Sequence, residues 1–236
     1  MKHIFNELTP EKQGEKLYHM KKIYDIAIIG AGVVGCAIAR ELAKYQLSCV
    51  LLEADSDIGR GTSKANTAIW HTGFDAKPGS LEATLLQKSY QLLSDFVPQA
   101  GIPHEKCGAV LIAWDKDQFD SLPGIAEKAK KNGVNDLRML SVEEVYQLEP
   151  HVNPGALGGI MVPGENIICT FSVPLAFARQ AVMNGIDLKL NFPVKEIQKH
   201  NESGYSLEGS GGKVASRFVI NAAGLYSDEI DGLMGF

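Results

Sequence analysis

Four cysteines, Cys36, Cys49, Cys107 and Cys169, stand far apart in 236 residues, and none belongs to a C-x-x-C pair. Neither a zinc site nor a small disulfide scaffold is suggested, so no metal is expected, and the thiols read as reduced, as in a cytoplasmic protein. Basic residues are outnumbered: 23 Lys and Arg face 28 Asp and Glu, for a formal charge of -5, and they form no cluster. Nucleic acid is therefore not expected as a main partner. No apolar run is long enough to span a bilayer. There is no internal repeat and no low-complexity segment. The length leaves room for one large domain or two small ones, each with its own core.

The most informative stretch runs from Ile26 to Gly35 and is read together with Glu53. Ile26-Ala27-Ile28-Ile29 reads as a strand buried on both faces. It leads into Gly30, Gly32 and Gly35, spaced G-x-G-x-x-G. Gly30 permits the sharp turn, Gly32 lets a pyrophosphate approach the main chain, and Gly35 lets the next helix pack on the strand. That helix carries Val34, Ile38 and Leu42 on one face. Its N-terminal amides suit phosphate oxygens. A second apolar run, Cys49 to Leu52, ends at Glu53, where a carboxylate accepts hydrogen bonds from an adenosine ribose. The pattern is a βαβ nucleotide grip, and its spacing does not separate NAD from FAD. The apolar run behind the Lys-bearing N-terminus has the look of a signal peptide, but its glycines fit the nucleotide turn better.

Residues 1–20 are polar and aperiodic and read as an extension, with Met20 as an alternative start. After Glu53, Gly59 to Asn66 forms a small polar loop suited to wrapping phosphates, or else a solvated surface loop. Ile69-Trp70-His71-Thr72-Gly73-Phe74 is rich in aromatics for a loop. Ser80 caps a helix carrying Leu81, Leu85, Leu92 and Phe96 and ending at Pro98. Residues 108–114 read as a strand, and 119–131 as a helix interrupted by Pro123. Ser141 and Glu144 fit a capping box, and 158–162 reads as a strand. A helix from Ser172 has Pro174 in its first turn and precedes a strand with Ile186, Leu188 and Leu190 alternating. Short strands at 194–197, 205–207 and 213–214 form a meander, and Phe218 to Ile220 is a last buried strand delivering Asn221-Ala222-Ala223-Gly224.

These pieces resemble the FAD-dependent oxidoreductases of the D-amino-acid oxidase superfamily over residues 23–236. The carriers are the Gly30 to Gly35 turn with Glu53, the Gly61 to Asn66 loop, and the strand into Ala222-Ala223-Gly224. Ile69 to Gly73, continuing to Leu81, looks most like anaerobic-type glycerol-3-phosphate dehydrogenases and L-2-hydroxyglutarate dehydrogenases, and Glu149 to Pro154 leans toward the first. The resemblance implies an α/β fold: a Rossmann-like FAD-binding domain of parallel sheet plus β meander, at 21–100 and 165–236. An inserted, incomplete α+β substrate domain would occupy 101–164. It implies that Thr62, Ser63 and Lys64 lie along the FAD pyrophosphate, that Asn66 of the same loop also binds the cofactor, and that Val194 meets adenine through its backbone. It also implies that Ala223 and Gly224 pass close to the cofactor and that His71 sits near the isoalloxazine.

The expected activity is oxidation of a secondary alcohol in a small-molecule substrate, glycerol-3-phosphate or a 2-hydroxy acid, by hydride transfer to FAD. His71 is the candidate base, since imidazole titrates near neutrality, though a lone histidine also serves structural ends. The alternatives are an FAD-binding fragment without turnover, an amine or amino-acid oxidase, and an NAD-dependent dehydrogenase. The last needs a second βαβ half where the meander stands. The resembled families continue well past Gly224, so a separately encoded C-terminal half is an expected partner.

Overall fold

A computed structural model describes residues 22–200 and 204–235; the expected extension at 1–20, with Met20, lies outside them. The chain opens with β1 (Ile23–Ile29), α1 (Val33–Leu42) and β2 (Cys49–Leu52). It continues through β3 (Ile69–Trp70), α2 (Leu81–Gln99), β4 (His104–Glu105), β5 (Ala109–Ala113) and α3 (Lys116–Lys131). Next come β6 (Arg138–Leu140), α4 (Val142–Leu148), β7 (Gly158–Val162) and β8 (Asn166–Ile168). The final part holds α5 (Ser172–Met183), β9 (Asp187–Lys189), β10 (Val194–Lys199), β11 (Tyr205–Gly209), β12 (Gly212–Asn221) and α6 (Ser227–Gly232).

Two compact units result. One runs through Asn66 and resumes at Thr170; the other is Thr67–Cys169. The boundaries read from sequence, at 100 and 164, fall elsewhere because β3 pairs with β8, Ile69 opposite Ile167 and Trp70 opposite Asn166. That non-local pairing draws residues 67–100 and 165–169 into the second unit.

The first unit is built on a six-stranded sheet ordered β10-β11-β12-β1-β2-β9. β12, β1, β2 and β9 are mutually parallel neighbours, while β10, β11 and the start of β12 form an antiparallel meander. This is a Rossmann-like α/β sheet with a meander attached. The strands expected at 213–214 and 218–220 are one ten-residue strand, β12, which pairs with β11 early and with β1 along its length. Val214, Ala215 and Ser216 are buried, so the residues between Val214 and Phe218 continue the strand rather than break it. Phe218 departs from expectation and is 66% exposed.

Ile28, Cys49 and Leu51 pack with Cys36 and Ala39 of α1 and Ala178 and Ala181 of α5 on one face. The residues α1 buries are Gly35, Cys36 and Ala39, and Val34 of the expected apolar face is exposed. Small side chains bring helix and sheet closer than branched ones would. Ala27, Ile29, Val50 and Leu52 face the other way, into a core with Phe192, Ile197, Leu207 and Ile230.

In the second unit two antiparallel three-stranded sheets, β3-β8-β4 and β5-β7-β6, accompany α2, α3 and α4. Ile160 and Val162 of β7 pack on Ala113 of β5 and Leu122 of α3. α3 passes unbroken through Pro123, at the cost of one main-chain bond. Asp115 caps the helix by accepting the Gln118 amide, and burial of Leu122 and Ala129 holds both halves in line. α2 buries Ala83, Phe96 and Val97, whereas Leu81, Leu85 and Leu92 are exposed. Ser141 and Glu144 form the expected capping box on α4. Among the described residues no helix is long and apolar enough to cross a membrane.

Candidate functional site

At the end of β1 the chain turns through Gly30, whose φ of +99° only glycine adopts without strain. A Cβ at Gly30 would stand 2.5 Å from the carbonyl oxygen of Ala222, and a Cβ at Gly35 would stand 1.9 Å from that of Gly30. The Ala222 amide donates to the Ile29 carbonyl at 2.8 Å. β1, α1 and the segment after β12 thus meet main chain to main chain. Gly32 plays a different part, because a Cβ there would meet the Ser63 hydroxyl, at 3.1 Å, and no other atom within 4 Å. The space over Gly32 is a cradle that a side chain would fill.

Glu53 directly follows β2. Its Oε2 accepts the Ala31 amide at 2.7 Å and its Oε1 the Asp55 amide at 2.9 Å. Two main-chain donors fix the carboxylate, and its remaining lone pairs suit hydroxyl donors such as those of a ribose. The Ala31 carbonyl accepts the Gly59 amide at 2.9 Å and the Cys36 thiol at 3.3 Å. Burial, with a smaller push from the Glu53 charge, drives that thiol up to about 12, so Cys36 braces the turn and is no nucleophile.

Ser63 Oγ accepts the amide of Val33, the first residue of α1, at 2.8 Å, which leaves its O–H to donate over the loop. Asn66 Nδ2 donates to the carbonyls of Ser63 at 2.9 Å and Thr62 at 3.3 Å, and the Lys64 amide donates to Gly61. Asn66 therefore closes the loop that carries Thr62, Ser63 and Lys64. Ala223 donates its amide to Asn221 Oδ1 at 3.2 Å, and Gly224, at φ +61°, would find open space around an added Cβ. Asn221 also donates through Nδ2 to the Ser227 carbonyl and to Asp231, so its side chain sets the course of this segment. The structure thus gathers Gly30, Gly32, Gly35, Glu53, Ser63 and the Ala222–Ala223 main chain at one end of the parallel sheet. Val194 opens β10 opposite Gly209, two residues after Phe192, whose amide donates to the Glu53 carbonyl at 2.8 Å, and it packs against the core that holds Ile29 and Leu52.

His71 belongs to the second unit. Its Nδ1 lies 2.8 and 2.9 Å from the two carboxylate oxygens of Glu165, and its Nε2 lies 3.2 Å from Asp75 Oδ1. Glu165 is buried and also accepts the Thr72 amide at 2.7 Å and the Thr72 hydroxyl at 2.5 Å. The hydrogen bond to Glu165, with both carboxylate charges, outweighs burial and raises the His71 pKa above its ordinary 6.5. Burial alone would raise the Glu165 carboxyl, but the bonds from His71 and Thr72 together hold it below its ordinary range. Asn132, at the end of α3, donates to the Gly73 carbonyl at 2.9 Å and the Ala76 carbonyl at 2.8 Å, clamping the loop between His71 and α2. A cavity of about 410 Å³ beside Thr72 is lined by Gln87, Tyr90, Asn132 and Asp136, and among the described residues no cationic side chain lines it.

The sequence assigned no site role to Glu165, Asp75 or Asn132, and named Asn221 only as part of the segment that follows the last strand. A carboxylate placed between Gly164 and the apolar β8 was a usable signal, because a charge there must find partners.

The profile of the DAO family, FAD dependent oxidoreductase, matches residues 25–236. This chain belongs to that family. FAD is accordingly the cofactor, and the cradle over Gly32, the Ser63 hydroxyl and the Glu53 carboxylate fit its pyrophosphate and ribose in chemistry. A glycerol 3-phosphate dehydrogenase of Caloramator mitchellensis is 36% identical over 212 residues, 90% of this chain and 44% of the relative. An L-2-hydroxyglutarate dehydrogenase of Nematostella vectensis is 31% identical, covering 88% of this chain and 48% of its own length. Among solved structures, dithionite-reduced L-alpha-glycerophosphate oxidase from Mycoplasma pneumoniae with FAD bound superposes with a TM-score of 0.82 at 30% identity. That match covers 90% of this chain and 57% of the other. The chain spans about half the length of the curated relatives it matches.

Proposed function

We propose that the protein serves the oxidation of a secondary alcohol carrying an anionic group, glycerol-3-phosphate or a 2-hydroxy acid, with His71 as the base. FAD, when bound, supplies the hydride acceptor. Glu53 would hold the adenosine ribose, and the α1 N-terminus with Gly32, Thr62, Ser63, Lys64 and Asn66 the pyrophosphate. Val194 would meet adenine, and Ala223 and Gly224 would pass along the cofactor. The observation that carries the alcohol reading is the pairing of His71 with the buried Glu165 carboxylate. An alcohol must surrender its hydroxyl proton as its C–H bond breaks, so it needs a strong, oriented acceptor. An amine that enters as the free base needs none, which sets the amino-acid oxidase alternative behind. The names of the two sequence relatives point the same way, since each names a hydroxyl-bearing anion and no amine.

The test is anaerobic bleaching of the FAD-loaded protein by glycerol-3-phosphate, by L-2-hydroxyglutarate and by glycine. Reduction by an alcohol that slows about a hundredfold or more in His71→Asn, with FAD retained, is the expected result. Bleaching by glycine alone, or an unchanged rate in the variant, defeats the reading.

A further inference from the structure

We infer that Glu165 decides which nitrogen of His71 carries the proton, and so presents Nε2 as the working base; the inference rests on the reading of His71 given above. Glu165 is 4% exposed, and a buried carboxylate accepts hydrogen bonds but donates none. Its partners are the Thr72 amide, the Thr72 hydroxyl and His71 Nδ1. Nδ1 must therefore bear a hydrogen. A neutral imidazole has a single N–H, so Nε2 is left with its lone pair, able to take a proton.

Asp75 gives this arrangement a second state. Its Oδ1 lies 3.2 Å from Nε2, and its side chain is 56% exposed. Carboxylate oxygen and bare ring nitrogen are both acceptors, so no hydrogen bond joins them while the ring is neutral. Once Nε2 has taken a proton, Asp75 becomes its acceptor. Glu165 holds the ring in both states, and Asp75 engages only the protonated one. The ring edge of Phe74, with centroids 6.0 Å apart, and the Asn132 clamp on Gly73 and Ala76 keep the loop in place, and neither adds a charge beside the imidazole. Glu165 is thus a positioning residue that acts through His71.

The experiment is nitrogen NMR of the protein labelled in its histidines, with His71→Asn assigning the ring among the 6 present. In the parent the neutral ring is expected to show hydrogen on Nδ1. In Glu165→Gln the titration midpoint should fall by about one pH unit or more and the neutral ring should become a mixture of tautomers. Thr72→Val removes a donor from Glu165, leaves its charge less satisfied, and should move the midpoint the other way, upward. That opposite sign is something general loosening of the site would not give, and it carries the test alone if Glu165→Gln does not fold. An unmoved midpoint with the same tautomer in Glu165→Gln, or a fall in Thr72→Val, overturns the inference. The base reading is scored separately by flavin bleaching in His71→Asn, which fails or holds without touching the nitrogen spectra.

Discussion

Gly35 sits against Gly30 so closely that a Cβ on the first would lie 1.9 Å from the carbonyl oxygen of the second. No L side chain fits that gap, and the obstacle is main chain at the heart of the βαβ unit. Gly35→Ala is therefore expected to cost the first unit its fold, seen as loss of a cooperative thermal transition. Gly32→Ala should behave differently, since the 3.1 Å contact there is with the Ser63 hydroxyl, which can rotate. That variant should melt near the parent and bind FAD more weakly. A Gly35→Ala protein that melts like the parent would remove the close approach from the argument.

Glu53→Ala deletes the acceptor of the Ala31 amide and, on the proposed function, the acceptor of the ribose. Hydrogen bonds to a charged group are worth about 1.5 to 3 kcal/mol, which is about tenfold or more in affinity. FAD titration should show that loss, and thermal melting should fall as well, because the freed amide belongs to the fully buried Ala31. Equal FAD retention in variant and parent would detach Glu53 from the site.

How much of this was legible in the sequence follows from where the signals lie. β1, β2 and the three glycines announce themselves because the requirement at each position is local: a buried strand wants branched apolar residues, and a turn at φ +99° wants glycine. The capping box on α4 and the Ser80 cap on α2 are local in the same way. β12 is not, because Ala215 and Ser216 find their strand partners through β1 and β11. Pro123 reads as a breaker until the packing of α3 is known. Glu165 lies 94 positions from His71, and nothing in the residues around either one signals the other.

Asn132 makes its two donations inside the protein, and its own side chain is buried. Asn132→Ala would leave the Gly73 and Ala76 carbonyls without this donor, at a net cost of about 2 kcal/mol at about 1 kcal/mol per bond. The expected result is a lower melting temperature for the second unit together with faster amide exchange across residues 73–76. Exchange unchanged in that loop would show that other contacts hold it.

The pairing of His71 with Glu165 also fixes a pH window for stability. The folded state raises His71 above its ordinary 6.5, so the stabilisation from the charged ring is complete below that value and is lost as pH rises through the folded midpoint. Glu165 is lowered from its ordinary 4.5, so its contribution is complete above 4.5 and is lost as pH falls through its folded value. Both conditions hold between 4.5 and 6.5. Comparing the parent with His71→Asn by thermal melting across pH should therefore give the largest difference inside that window. The difference should shrink on the alkaline side as the ring discharges, while the hydrogen bond from neutral Nδ1–H preserves part of it. On the acid side it should shrink as Glu165 takes a proton and stops being an anion for the imidazolium to face. A melting difference that is flat from acid to alkaline pH would mean that His71 contributes through packing and a neutral hydrogen bond, with no share from the ion pair.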